Sequence, residues 1–180
     1  MRFVWAEHVY GRTALAAAVL IGMSGCGYHA LGKAAHLPPD ARTLAVPVFV
    51  TETKSYGTET AMTQAVIREF ATRTRMRVTP EESGSADVVL HGKIRQESTQ
   101  PFTYNSSTQQ SSSFVITVVA SVSLTTRDGR VLYQNDNYVF RQQYQSTTDL
   151  ATFLQEDPAA IQRLSRDFAR QLVADVLEGM

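Results

Sequence analysis

Between Phe114 and Leu124 an apolar side chain stands at every second position: Phe114, Ile116, Val118, Ala120, Val122 and Leu124 alternate with Val115, Thr117, Val119, Ser121 and Ser123. Successive side chains of a strand point to opposite faces, so this segment reads as a strand with one buried face. Asp128-Gly129 follows and marks a hairpin turn. An antiparallel partner therefore starts at Val131 and is expected to reach about Arg141, with Asn135-Asp136-Asn137 as a bulge. The same alternation begins at Ala86, with Val88, Leu90, Gly92 and Ile94 on one face and Asp87, Val89, His91, Lys93 and Arg95 on the other. Leu44–Val50 is the first strand candidate, and Pro47, lacking an N–H, sets it at an edge or bulge.

Two segments change to helical spacing. Met62, Ala65, Val66 and Phe70 form one stripe in a helix over Thr58–Arg73, with Thr58 as cap and Glu59 in the first turn. Ile161, Leu164, Phe168, Leu172 and Val176 form a second, opened by Asp157 as cap and Pro158 at the first helical position, with Asp149–Gln155 adding a turn or two. The order predicts an α+β two-layer sandwich: two helices packed on one face of a four-stranded, mixed or antiparallel sheet. The other face would display His91, Lys93, Arg95, Thr117, Ser121 and Ser123 among Val89, Val115 and Val119, as a binding surface or a solvated face. Ser98–Ser113 carries no charge and is rich in Ser, Thr, Gln and Asn around Pro101, Phe102 and Tyr104. It reads as a long loop, suited to a polar enclosed space such as a barrel lumen or serving only as a flexible tip.

Composition narrows the function. Lys and Arg number 17 and Asp and Glu 17, so the net charge is zero and nucleic acid is disfavoured as a partner. The single cysteine, Cys26, can make neither an internal disulfide nor a Cys-rich zinc site. It follows a start carrying Arg2 and Arg12, an apolar run Thr13–Met23 too short to span a bilayer, and the small residues Ser24 and Gly25. Met23-Ser24-Gly25-Cys26 resembles the lipobox of bacterial lipoproteins, with Met where Leu is commoner. That resemblance implies a signal peptide over residues 1–25, acylation of Cys26, a lipidated tether over residues 26–42 and one domain over residues 43–180. The lipid on Cys26 would be the only membrane attachment.

Catalytic signatures are weak. The chain holds no Gly-x-Ser-x-Gly, His-Glu-x-x-His, Walker or dinucleotide-binding motif. After Cys26 the histidines are His29, His36 and His91, a poor supply for a metal or a triad. The expectation is a protein that is no enzyme, holds no metal, and carries no cofactor beyond the covalent lipid.

Four segments together resemble the LPS-assembly lipoproteins called LptE: Cys26-Gly27-Tyr28-His29, Val46-Pro47-Val48-Phe49, Ala86-Asp87-Val88-Val89-Leu90-His91-Gly92 and Arg163-Leu164-Ser165-Arg166-Asp167-Phe168-Ala169. Thr51 stands where that family commonly has Asn. The resemblance implies a two-helix, four-stranded domain at the periplasmic face of the outer membrane. It would plug the β-barrel LptD and help place lipopolysaccharide in the outer leaflet. Under that reading Lys93 and Arg95, with Arg75 and Arg77 as neighbours if their segment pairs alongside, are candidates for lipid A phosphates, and Pro101, Phe102 and Tyr104 for the barrel. A pilot lipoprotein for another channel, such as a secretin, fits the same anchor, and a periplasmic hydrolase is the third reading.

Overall fold

Pro47 decides how the sheet begins. A computed structural model describes residues 36–53, 57–82, 84–105, 110–145 and 150–179. The expected first strand is split around Pro47 into β1 (Thr43–Ala45) and β2 (Val50–Thr51). Both lie parallel to one long strand, β4 (Val88–Asn105): Leu44 pairs with Val88, and Val50 pairs with Lys93. A proline cannot donate to the ladder, so pairing stops there and resumes once the chain has passed it. Helix α1 (Thr58–Arg73) leads into β3 (Arg77–Thr79), a strand the periodicity did not reveal, which pairs with β1 in parallel. β5 (Gln110–Thr126), β6 (Val131–Gln145) and α2 (Leu150–Glu178) complete the order.

The sheet therefore has six strands, ordered β3-β1-β4-β5-β6 with β2 also on β4, rather than the four expected. It is mixed: β4, β5 and β6 are antiparallel, and the short strands add parallel pairs. Three residues carry too little pattern to announce β3, whose place is set by its partner. The expected loop over Ser98–Ser113 is also corrected. β4 and β5 pair as far as Asn105 and Gln110, so most of that segment is hairpin. Ser and Thr suit a solvated strand as well as a loop, which is why composition alone misread it.

Periodicity located the core well. Val88, Leu90, Ile94, Ile116, Val118, Ala120, Val122 and Leu124 are buried on one face, with Met62, Ala65, Val66 and Phe70 of α1 and Leu164, Phe168, Leu172 and Val176 of α2. Phe168 meets Phe49, Tyr138 and Phe140 edge-on, with ring centroids 5.5–6.0 Å apart. Gly92 is part of this fit, since a Cβ there would collide with the Phe49 ring. The Phe49 amide donates to Thr63 Oγ1 at 3.0 Å, holding the ring over the glycine.

Three local expectations change. Gly57, with φ of 99°, precedes α1 in place of a Thr58 cap, and its amide donates to the Glu59 carboxylate. α2 starts at Leu150, so Asp157 does not cap it and Pro158 lies inside it. Val89 is buried with Ala45 and Ala86 on the second sheet face rather than exposed there.

Candidate functional site

The face of the sheet away from the helices is open around the middle of β4. His91 and Lys93 point out beside their β5 partners Ser123 and Ser121. A cleft of about 680 Å³ lies over them, walled by Val48, Val50, Val131 and Asp136. The valines are unusually wet for their type: Val48 is 57%, Val50 61% and Val131 54% exposed. Apolar side chains beside cations form an amphipathic surface.

Arg95 reaches this surface by a different route from the one its spacing indicated. It is the extra residue in a bulge, since Ile94 pairs with Ala120 and Gln96 with Val119. Its guanidinium crosses the sheet and donates to the Asp136 carbonyl at 3.3 Å. A bulge re-aims side chains, and here it keeps Arg95 on the open side beside Lys93.

The carboxylates on this surface were not anticipated. Lys93 Nζ lies 2.6 Å from Glu52 Oε1, and His91 Nε2 lies 3.9 Å from Glu82 Oε1. Arg95 makes no ion pair among the described residues. Glu52 sits at the end of β2, and its amide donates to the Ile94 carbonyl. No local signal marks it, because the register of β2 against β4 is set by pairing between segments far apart in the chain.

Arg75 and Arg77 are not neighbours of Lys93 and Arg95. Arg77 opens β3 opposite Thr43, at the level of Asp87, with β1 between it and β4. Lys93 is six steps along the chain from that level, about 20 Å at a strand's rise per residue. Pro101 pairs with Phe114 in the hairpin, and Phe102, at an irregularity in the pairing, is 63% exposed. Tyr104 lies on β4 opposite Ser111. Cys26, the signal segment and residues 27–35 lie outside the described residues, as does the hairpin tip at residues 106–109. Among the described residues no group of three His, Cys, Asp or Glu side chains could hold a metal.

Residues 41–176 match the family model described as LptE: Lipopolysaccharide-assembly. The chain belongs to the LptE family. Among solved structures it is similar to uncharacterized lipoprotein B from Nitrosomonas europaea, at 11% identity and a TM-score of 0.55, covering 85% of this chain and 92% of that one. It is also similar to a candidate lipoprotein from Caulobacter crescentus, at 12% identity and a TM-score of 0.51, covering 73% and 89%. At such identities the likeness is one of fold. No curated protein matches the chain. The description of the family names lipopolysaccharide assembly.

Three of the segments that carry the LptE resemblance prove to be fold-bearing. Val46-Pro47-Val48-Phe49 is the break between β1 and β2 and supplies the buried Phe49 ring. Ala86 to Gly92 contains the glycine beneath that ring and Asp87, which ties β4 to β1. The α2 segment places Leu164, Phe168 and Ala169 in the core. Two of these segments also reach the open face, through Val48 and His91.

Proposed function

We propose that this protein is an outer-membrane lipoprotein that assembles with and plugs an LptD-type β-barrel, and that it meets lipopolysaccharide on the open sheet face. Residues 1–25 are removed on export, Cys26 carries the lipid, and residues 26–42 tether the domain of residues 43–180 to the periplasmic face of the membrane. The observation that carries this reading is the pairing, within a member of the LptE family, of exposed valines with Lys93 and Arg95 on one uncovered face. A lipid bearing phosphates needs both kinds of contact. The long uncharged hairpin, with Pro101, Phe102 and Tyr104, supplies the barrel contact, since neutral hydroxyls and amides enter a confined lumen at lower desolvation cost than charges.

Pull-down of the acylated protein from native membranes tests the partner: an LptD barrel is expected, and recovery of a secretin without LptD would overturn the assignment. Direct binding is tested with the folded double variant Lys93→Glu, Arg95→Glu. It should bind lipopolysaccharide about tenfold or more weakly, the scale of one or two lost charge-assisted contacts. Unchanged affinity would remove both residues from the mechanism.

A further inference from the structure

We infer that the end of the sheet where the tether enters is a docking surface for an anionic phospholipid bilayer, separate from the open face that carries Lys93. The register places Arg77 of β3, Thr43 of β1, Asp87 at the foot of β4 and Arg127 after β5 in one row across the sheet. Arg42 precedes Thr43, Arg75 leads into β3, Arg130 stands just before β6, and Arg73 closes α1. All six arginines are exposed.

Four carboxylates share this end: Asp40, Asp87, Asp128 and Glu178. Three of them are engaged: Arg73 pairs with Glu178 at 2.7 Å, Arg127 pairs with Asp87 at 3.4 Å, and Asp128 is held by the Thr126 hydroxyl and acted on by the Arg130 charge without an ion-pair contact. Arg42, Arg75, Arg77 and Arg130 make no ion pair among the described residues. The sheet end therefore holds a surplus of unpaired guanidinium groups. Zero net charge over the whole chain conceals this concentration.

The tether says what faces it. His36 enters beside the same end: its amide donates to the Val176 carbonyl near the close of α2, and its ring lies 5.2 Å from that of Tyr133. His36 is ten steps along the chain from Cys26, so a lipid there keeps this entry point within roughly 35 Å of the bilayer. The inference rests on the lipid-anchor reading for that proximity. Guanidinium groups near an anionic leaflet are drawn to its phosphates, and the attraction fades within a Debye length of about 8–10 Å. The β4–β5 hairpin, at the opposite end of β4, takes no part in this contact.

The experiment uses the mature chain with Cys26→Ser, so that no acyl chain contributes, and measures co-sedimentation with vesicles of phosphatidylcholine alone or mixed with phosphatidylglycerol. Binding should require phosphatidylglycerol, weaken with salt, and fall about fivefold per charge removed in Arg75→Gln, Arg77→Gln and Arg130→Gln. Equal binding to both vesicle types, or equal binding by the triple Gln variant, would overturn the surface. Mass spectrometry of native Cys26 separates the two claims. An unmodified thiol there defeats the anchor and with it the reason for choosing a membrane, whereas acylation together with a silent triple variant defeats the surface alone.

Discussion

Thr43 and Asp87 hold each other by two reciprocal hydrogen bonds: the Thr43 hydroxyl donates to Asp87 Oδ2 at 2.8 Å and accepts from the Asp87 amide at 2.9 Å. The same carboxylate oxygen accepts from the Arg42 and Thr43 amides, each at 2.9 Å. A short parallel strand such as β1 has few ladder bonds of its own, so this clamp fixes where it starts against β4.

The Arg42 amide, then the Thr43 hydroxyl and amide, hold the Asp87 carboxyl below its ordinary value. A depressed folded-state value contributes stability that is present above the unfolded value of about 3.9 and is lost as pH falls through the folded one. Below about pH 4 the wild-type urea midpoint should therefore fall more steeply than that of Asp87→Asn. Parallel profiles for the two proteins in that window would show that Asp87 has no part in acid unfolding.

Gly92 and Phe49 make a steric prediction. Gly92→Ala forces its methyl into the Phe49 ring and should cost about 1–3 kcal/mol, the scale of overpacking in a filled core. A smaller side chain at position 49 relieves the clash, so adding Phe49→Leu should cost less in Gly92→Ala than in wild type. Denaturant midpoints of the four proteins in the cycle measure this coupling, and strict additivity would contradict it.

Tyr138 lies among apolar rings yet donates to Asp175 Oδ2 at 2.6 Å, while Gln171 donates to the other carboxylate oxygen at 2.7 Å. Tyr138→Phe leaves one buried acceptor without its donor and should cost about 1–3 kcal/mol. Burial first, and the bond to Asp175 second, push the Tyr138 hydroxyl well above the usual tyrosine range. For a raised value the stability is present below the unfolded pKa of about 10 and is lost as pH rises beyond it. In an alkaline titration the phenolate absorbance of Tyr138, taken as wild type minus Tyr138→Phe, should appear only with unfolding. Ionisation in the folded protein near pH 10 would refute this.

Glu52 competes with any anion for Lys93. The pair is half exposed, so breaking it costs little stability, within about 1 kcal/mol. Glu52→Gln should accordingly leave the thermal midpoint nearly unchanged while tightening lipopolysaccharide binding a fewfold at low salt. Weaker binding by this variant would mean that Glu52 helps position Lys93 rather than masking it.

The parity of the long strands was legible because it is local: Val88, Leu90 and Ile94, then Ile116 to Leu124, alternate and are buried as the period demands. The helical stripes were legible for the same reason. Parity failed at Arg95, where one extra residue against β5 reverses which side chains face the core, and no local pattern marks the insertion. Among the candidate site residues, Lys93 and Arg95 were brought together, whereas Arg75 and Arg77 were sent to the far end of the sheet by the parallel register of β3.

Sequence alone determined that there are two helices and three long strands, the buried face of β4 as far as Ile94 and that of β5, and the isolation of Cys26 from disulfide or metal chemistry, because each follows from periodicity or a residue count. Tertiary structure alone decided that Pro47 divides the first strand, that β3 joins the sheet edge, that Glu52 faces Lys93 and that the arginines separate into two groups. Those four outcomes depend on contacts between segments far apart in the chain. Pairing across such distances is chosen by which registers bury the apolar face and satisfy groups such as Asp87, and no single segment contains that information.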